Sequence, residues 1–322
     1  MRGILFEAPR RVRLLDDLPV PDCGEGEVLV KCTQIGLCGS NMGPYKGEGH
    51  WGETRWPAPV GWLGHENVGV IVKSRAPGWD EGTPVLAQSA DYNGFVEFFA
   101  ARTGTLARLP ADATDLAPFI IAQPLGTVLR ALSKAEPVVN RCCSVVGQGP
   151  IGLLFTYMLR RMGARQVIAV DRIPWRLEWS RKMGATDTVD ASQSDAPEAV
   201  RGLTAGHMAQ FAVDAGNTPE SLATAALLLG HEGCLCPFAV PRHRTQEFPW
   251  LHALDNELRF VTAHGAGCTE FFQLGVDMVA GDCSALGELV TPRLPWEHAA
   301  EAFEMYAEPA QHNGSLKIVL DL

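Results

Sequence analysis

The segment Val145-Val146-Gly147-Gln148-Gly149-Pro150-Ile151-Gly152 constrains this chain more than any other. Its glycines follow the spacing G-x-G-x-x-G. They lie between a short apolar run, Ser144-Val145-Val146, and an amphipathic stretch from Ile151 to Met162 that is apolar at Ile151, Leu154, Phe155, Met158 and Leu159 and is stopped by Gly163. The bare spacing means little, but a match that follows a strand and opens a helix is the phosphate-binding turn of a doubly wound parallel sheet. Gly147 permits the tight turn. Gly149 removes a side chain where a pyrophosphate meets the backbone, and Gly152 lets the helix pack close to the sheet. Pro150 and Ile151 open the helix, where free N–H groups and the positive dipole end would hold the phosphates.

The next strand, Val167-Ile168-Ala169-Val170, ends in Asp171, nineteen residues past Gly152. A carboxylate there accepts hydrogen bonds from both ribose hydroxyls of NAD and repels a 2′-phosphate. Arg172 follows directly and could tolerate that phosphate, so NAD is expected ahead of NADP. Arg172 and Arg176 join the candidate cofactor-binding residues. The bland alternative is a glycine turn in a sheet protein that binds no nucleotide; strand, turn, helix, strand and acid in order argue against it.

Two textures flank this unit. Residues 1 to about 120 read as short strands broken by Gly and Pro, such as Val28-Leu29-Val30 and Val68 to Val72, a β-rich module of barrel or sandwich type. From about 123 to 286 apolar strands alternate with helices, the pattern of a parallel sheet with crossover helices. Pro174 opens the second helix of that series, which ends before Gly184. Phe211 to Val213, Cys234 to Phe238 and Leu258 to Val261 continue the strands. One more helix, Trp296 to Tyr306, and a last strand, Leu316 to Leu320, close the chain. The expected class is α/β with two domains, in line with 322 residues.

Composition removes several function classes. Hydrophobic residues at 46% and charged residues at 20% exclude wholesale disorder. No apolar run approaches the roughly 18 residues of a membrane helix, and the opening MRGILFEAPRR lacks a secretory h-region, so a cytoplasmic protein is expected. A formal net charge of −10 disfavours nucleic acid as a partner. Nine irregularly spaced cysteines with no CxxC pair argue against a disulfide scaffold and against a closed structural zinc knot.

In the β-rich part, Gly36-Leu37-Cys38-Gly39-Ser40-Asn41 is followed by Gly64-His65-Glu66. Cys, His and Glu are all zinc ligands, and thiolate with imidazole suits Zn²⁺ better than harder cations. Spacing alone leaves open a buried thiol and a hydrogen-bonded core histidine. The segments GLCGSN and PVGWLGHENVGVI, however, resemble the catalytic-zinc motifs of the medium-chain dehydrogenase/reductase superfamily, and more specifically of its zinc-dependent alcohol, polyol and sugar dehydrogenases. Gly94-Phe95-Val96-Glu97-Phe98, Gln123-Pro124-Leu125, Phe211 to Gly216 and Gly314 to Leu320 extend the likeness over nearly the whole chain.

The resemblance implies a GroES-like catalytic domain built from residues 1–122 and 287–322, with a Rossmann domain, 123–286, inserted and the active site in the cleft between them. It gives Cys38 and His65 as zinc ligands, Glu66 as a carboxylate at the metal, Ser40 as the hydroxyl that relays the substrate proton, and Gln123 where relatives place a Glu or Cys ligand. An amide there leaves the site more positive. The implied reaction is hydride transfer between a nicotinamide cofactor and a polyol, sugar, cyclitol or related secondary alcohol, with one catalytic Zn²⁺ per chain. The four-cysteine lobe of relatives is missing between Val85 and Gly94, so no structural zinc is expected. Asn41 stands where an aspartate is usual and would orient the histidine ligand with less charge. A homodimer or homotetramer is implied, paired through the sheet edge at Cys234 to Val240 and Leu258 to Ala263. The alternatives are a metal-free, NADPH-dependent reductase of activated C=C bonds on the same fold, and a non-catalytic nucleotide-binding protein.

Other residues carry competing readings. Trp51, Trp56 and Trp62 would line a substrate cleft or pack in a Pro- and Gly-rich loop. His50 would relay protons or sit exposed. Cys234 and Cys236 alternate on a strand and read as core rather than as a metal pair. Arg293 would touch a cofactor phosphate or lie on the surface. His231, His243, His252 and His264 share no spacing and receive no role.

Overall fold

The computed structural model describes residues 1–48, 55–241, 244–265, 269–312 and 314–322, so the readings placed on His50, Trp51 and His243 lie outside the described residues. The chain divides into two compact units, Met1–Gly126 with Ala266–Leu322, and Thr127–Gly265.

The first unit carries strands β1 (Gly3–Ala8), β2 (Arg11–Leu15), β3 (Glu27–Gly36), β4 (Asn67–Ser74), β5 (Pro84–Ala87), β6 (Phe98–Arg102) and β7 (Leu106–Arg108). The second carries β8 (Cys142–Val146), β9 (Gln166–Asp171), β10 (Asp187–Asp190), β11 (Ala209–Asp214), β12 (Leu229–Pro237) and β13 (Arg259–Phe260), after which β14 (Val290–Pro295) and β15 (Lys317–Asp321) return to the first. The helices in chain order are α1 (Met42–Lys46), α2 (Ala122–Ser133), α3 (Pro150–Arg161), α4 (Pro174–Lys182), α5 (Ala196–Leu203), α6 (Pro219–Leu227), α7 (Trp250–Asp255), α8 (Thr269–Gly281), α9 (Cys283–Leu286) and α10 (Ala299–Ala307).

In the first unit a seven-stranded sheet runs β14-β15-β3-β4-β5-β7, with β6 also paired to β3, and β1 with β2 forms a separate hairpin. The long strand β3 buries Val28, Val30 and Cys32 on one face and, after a register shift past Cys32, Ile35. Its core is knotted at Phe6, which meets Tyr45, Trp62, Phe95 and Phe303 with ring centroids 5.1 to 6.4 Å apart, each pair close to edge-on. Each such pair adds about 0.5–1.5 kcal/mol beyond the area it buries.

The second unit is a six-stranded parallel sheet in the order β10-β9-β8-β11-β12-β13. Its central strand β8, CCSVV, is buried throughout, as a strand covered on both faces must be. The order reverses between β8 and β11, which is where a doubly wound sheet opens its crevice. Cys234 and Cys236 lie opposite Phe211 and Val213 on this sheet; both are buried, and burial pushes the Cys236 thiol up to about 12. They are packing residues.

Residues 269–286, expected with the parallel sheet, fall in the first unit. Helix α8 packs on β7, and the Gln273 carboxamide brackets one residue of that strand. It accepts from the Arg108 N–H at 2.9 Å and donates to the Arg108 carbonyl at 3.1 Å. Amphipathic spacing marks α8 as a helix without telling which sheet it faces.

Candidate functional site

Antiparallel pairing of β3 with β4 builds the metal candidate. Ile35 lies opposite Asn67, and the Gly36 N–H donates to the Glu66 carbonyl at 2.8 Å, so the residues just past β3 meet those just before β4. Cys38, with extended backbone, then opens the 3₁₀ turn Gly39–Asn41. One ligand atom each from Cys38, His65 and Glu66 lies within 4.8 Å of the others. Gly36 makes room for this: a Cβ there would come 2.6 Å from Glu66 Oε2 and 2.5 Å from Ile120.

The imidazole of His65 is aimed by the backbone. Its Nδ1 lies 2.7 Å from the Leu63 carbonyl, which can only accept, so Nδ1 carries the hydrogen and Nε2 keeps a free lone pair. Ser40 Oγ is 3.5 Å from that Nε2. Asn41 was expected to orient the histidine itself. Instead its Nδ2 donates to Leu63 O at 2.9 Å and its Oδ1 accepts the Cys38 N–H at 2.8 Å. The amide and the imidazole meet at one carbonyl rather than each other.

Electrostatics suit a metal. Burial and Glu66 push the Cys38 thiol up, but His65 and Lys317 outweigh them and hold it below its ordinary value. Burial pushes His65 down, yet the Cys38 sulfur raises it to about 9. The cationic neighbours thus favour the thiolate over the thiol at Cys38. A metal ion bound here would meet the Nε2 lone pair and a sulfur biased toward its ligating form.

Glu66 is wholly buried and its carboxylate is shared. Lys317 Nζ, itself 1% exposed, donates to Oε1 at 2.9 Å, to Oε2 at 2.7 Å and to the Leu37 carbonyl at 2.9 Å, which uses all three ammonium hydrogens. The motif reading assigned Lys317 no role. The available signal was a lysine inside the continuous apolar strand Leu316 to Leu320, where an unpaired charge is prohibitive. Gln123 is buried in the first turn of α2, within the same unit as the trio.

In the second unit the glycine loop has the form its spacing requires. Gly147 takes φ +88°, and a Cβ on Gly152 would stand 1.8 Å from the Gly147 carbonyl, so nothing larger fits. At Gly149, the N-cap of α3, a Cβ would find its nearest neighbour 3.9 Å away, at Arg176 Nη1. The loop thus leaves space where a phosphate would lie, with Pro150 at the first helical position and Ile151 half-buried behind it. Asp171 is buried and anchors the loop. Oδ2 accepts from Gln148 N at 2.5 Å, Oδ1 accepts from Ile173 N at 2.8 Å, and Arg176 Nη1 lies 4.0 Å from Oδ2. Arg176 Nε is buried without a partner, and Arg172 is exposed. The loop and the acid meet through the Gln148 N–H, and both fit a dinucleotide.

Other expectations resolve more simply. Trp62 and Trp56 meet edge-on at 6.4 Å and pack against the Phe6 core. Arg293 is committed to carboxylates, two bonds to Asp321 and one to Asp115, rather than to a phosphate. His252 bonds the Ala226 carbonyl, while His231 joins Glu232 and Glu257 in an exposed group with ligand atoms within 4.8 Å.

Residues 24–111 match the family model described as the alcohol dehydrogenase GroES-like domain, and residues 150–280 match the zinc-binding dehydrogenase model. An L-threonine 3-dehydrogenase of Bacillus subtilis is 25% identical over 325 residues, covering 91% of each chain. A sorbitol dehydrogenase of the same organism is 24% identical over 333 residues, covering 94% of this chain and 93% of its own. Among solved structures, the alcohol dehydrogenase TADH from Thermus sp. ATN1 superposes with a TM-score of 0.85 at 22% identity over 100% of this chain and 99% of its own, a likeness of fold. The two models fall in series along the chain, the first over the segment that holds Cys38 and His65 and the second from the start of α3 onward. The chain belongs to the medium-chain dehydrogenase/reductase superfamily, in its zinc-dependent alcohol and polyol dehydrogenase group.

Proposed function

We propose that this oxidoreductase moves a hydride between NAD and a secondary alcohol of the polyol, sugar or cyclitol class, using one zinc ion held at Cys38, His65, Glu66 and Gln123. The convergence of Cys38, His65 and Glu66 carries the reading. Support comes from relatives named for secondary-alcohol substrates, threonine and sorbitol. When bound, the zinc supplies a Lewis acid for the substrate oxygen and the nicotinamide supplies the hydride chemistry.

This chain's residues do the rest. Cys38, as thiolate, brings a negative charge to this set. Glu66 is matched by Lys317, so the pair is neutral as a unit and the site keeps a net positive charge toward substrate oxygen. Ser40, beside His65 Nε2, passes the hydroxyl proton outward. Gly149 and Gly152 shape the phosphate cradle with Gly147, and Asp171 receives the ribose hydroxyls, which favours NAD over NADP.

Two further readings accompany this one. Strand β13 ends the parallel sheet beside Trp250, Leu251, Leu254 and Phe260, which are 67%, 71%, 75% and 47% exposed; a second copy covering them gives a dimer, to be checked by light scattering. No helix among the described residues is long and apolar enough to cross a membrane, and the eight described cysteines are free thiols, which suits a reducing, cytoplasmic compartment.

The test is a screen of alcohols, polyols, sugars and cyclitols with NAD and NADP, alongside zinc quantification. Turnover of a secondary alcohol with NAD by zinc-bearing protein is expected. Turnover only of activated C=C bonds with NADPH, by protein free of zinc, would replace this reading.

A further inference from the structure

We propose that Asn41 is a positioning residue that aims the His65 imidazole at the metal without touching it, through the Leu63 carbonyl. The inference rests on the zinc reading above. Asn41 is 1% exposed, and its two polar ends are spent on two different loops. Oδ1 takes the N–H of Cys38, on the loop after β3, and Nδ2 holds the carbonyl of Leu63, on the loop before β4. That carbonyl also accepts from His65 Nδ1. Leu63 sits at φ +62°, a conformation a leucine keeps only where its surroundings hold it. The carboxamide supplies that hold, because its Nδ2 fixes the direction in which the Leu63 carbonyl points.

The consequence is a tie between two ligand-bearing loops. A neutral amide offers an acceptor at one end and a donor at the other, which the Cys38 N–H and the Leu63 carbonyl demand. With the carbonyl pinned, Nδ1 must be the protonated nitrogen and Nε2 the ligating one. Were it free to rotate, the ring would lose its anchor while Cys38 stayed in place. Outer-shell partners of this kind change metal affinity by about 10–100-fold when lost.

Two variants separate aiming from simple support. Asn41→Ser keeps a hydroxyl able to cap the Cys38 N–H but is too short to reach Leu63; Asn41→Leu removes both bonds. In zinc-loaded full-length protein, zinc release to a chromogenic chelator gives one readout. The ¹⁵N–¹H resonances of the His65 ring give a second that a merely structural role would not move. In the unaltered protein we expect zinc on Nε2 and a slowly exchanging Nδ1–H. In Asn41→Ser we expect at least about tenfold faster zinc release and a rapidly exchanging Nδ1–H, with a melting temperature lowered by no more than a few degrees; Asn41→Leu should be faster still.

Release within twofold of the unaltered protein with the Nδ1–H unmoved in Asn41→Ser would overturn the inference alone. So would zinc seated on Nδ1 in the unaltered protein, a measurement that stands even if neither variant folds. Unaltered protein that takes up no zinc would overturn this inference and the zinc reading together.

Discussion

Lys317→Met removes the cation from a buried ion pair and leaves the Glu66 carboxylate behind. Both partners are essentially inaccessible to water, with Lys317 side chain 2% and Glu66 0% exposed. Breaking such a pair from one side costs about 3–5 kcal/mol, because an uncompensated charge stays buried. At about 2–4 °C per kcal/mol for a unit of this size, the first unit of metal-free protein should melt roughly 6–20 °C lower. Replacing both partners is a different perturbation. Lys317→Met with Glu66→Leu exchanges the pair for apolar groups, which is commonly neutral or stabilising. The double variant should therefore recover most of the loss, leaving mainly the orphaned Leu37 carbonyl. Thermal melts of the four proteins of this cycle, followed by circular dichroism after chelator treatment, give the coupling directly. A shift under about 2 °C for Lys317→Met, or a double variant no better than the single, would refute the claim that Glu66 depends on Lys317.

The nucleotide loop predicts opposite outcomes for two neighbouring glycines. Gly152→Ala forces a Cβ to 1.8 Å from Gly147 O, so it should lower the melting temperature and abolish nucleotide binding; calorimetry and titration read both. Gly149→Ala meets nothing closer than 3.9 Å within the protein, so the melting temperature should hold while KM for NAD rises about tenfold or more, as expected for a methyl group in the phosphate cradle. Metal-free protein should lose stability as pH rises toward about 9. The raised His65 proton, retained to about 9 against about 6.5 when unfolded, makes stability fall with rising pH across that window. The lowered Cys38 thiol acts in the opposite sense below about 8.5, so the fall runs unopposed from about 8.5 to about 9. Urea melts across pH 5 to 10 check the shape, and a Cys38→Ser protein with an identical profile would contradict the pairing.

The glycine loop, the order of strand and helix around it and the acid at Asp171 were legible because each is local, set within a few residues by turn geometry and hydrophobic period. Cys38, His65 and Glu66 were legible through motif likeness, although nothing in their spacing says that β3 and β4 pair to bring them together. Lys317 was passed over because its meaning lies 251 residues away, at Glu66. Its strand is buried at four successive positions, so alternation gives no sign of which way the lysine points. Asn41 was misread for a related reason: its side chain answers to the Leu63 carbonyl, and backbone acceptors leave no mark in a sequence. The unit to which residues 269–286 belong was hidden because α8 is apolar in a way either sheet could satisfy.

Metal analysis of purified protein, paired with Cys38→Ser, probes the central claim most directly. The unaltered chain should carry one zinc per copy and oxidise a secondary alcohol with NAD. Cys38→Ser should lose both zinc and turnover while binding NAD as before. A Cys38→Ser protein that keeps its zinc and its activity would show that this sulfur does not hold the catalytic ion.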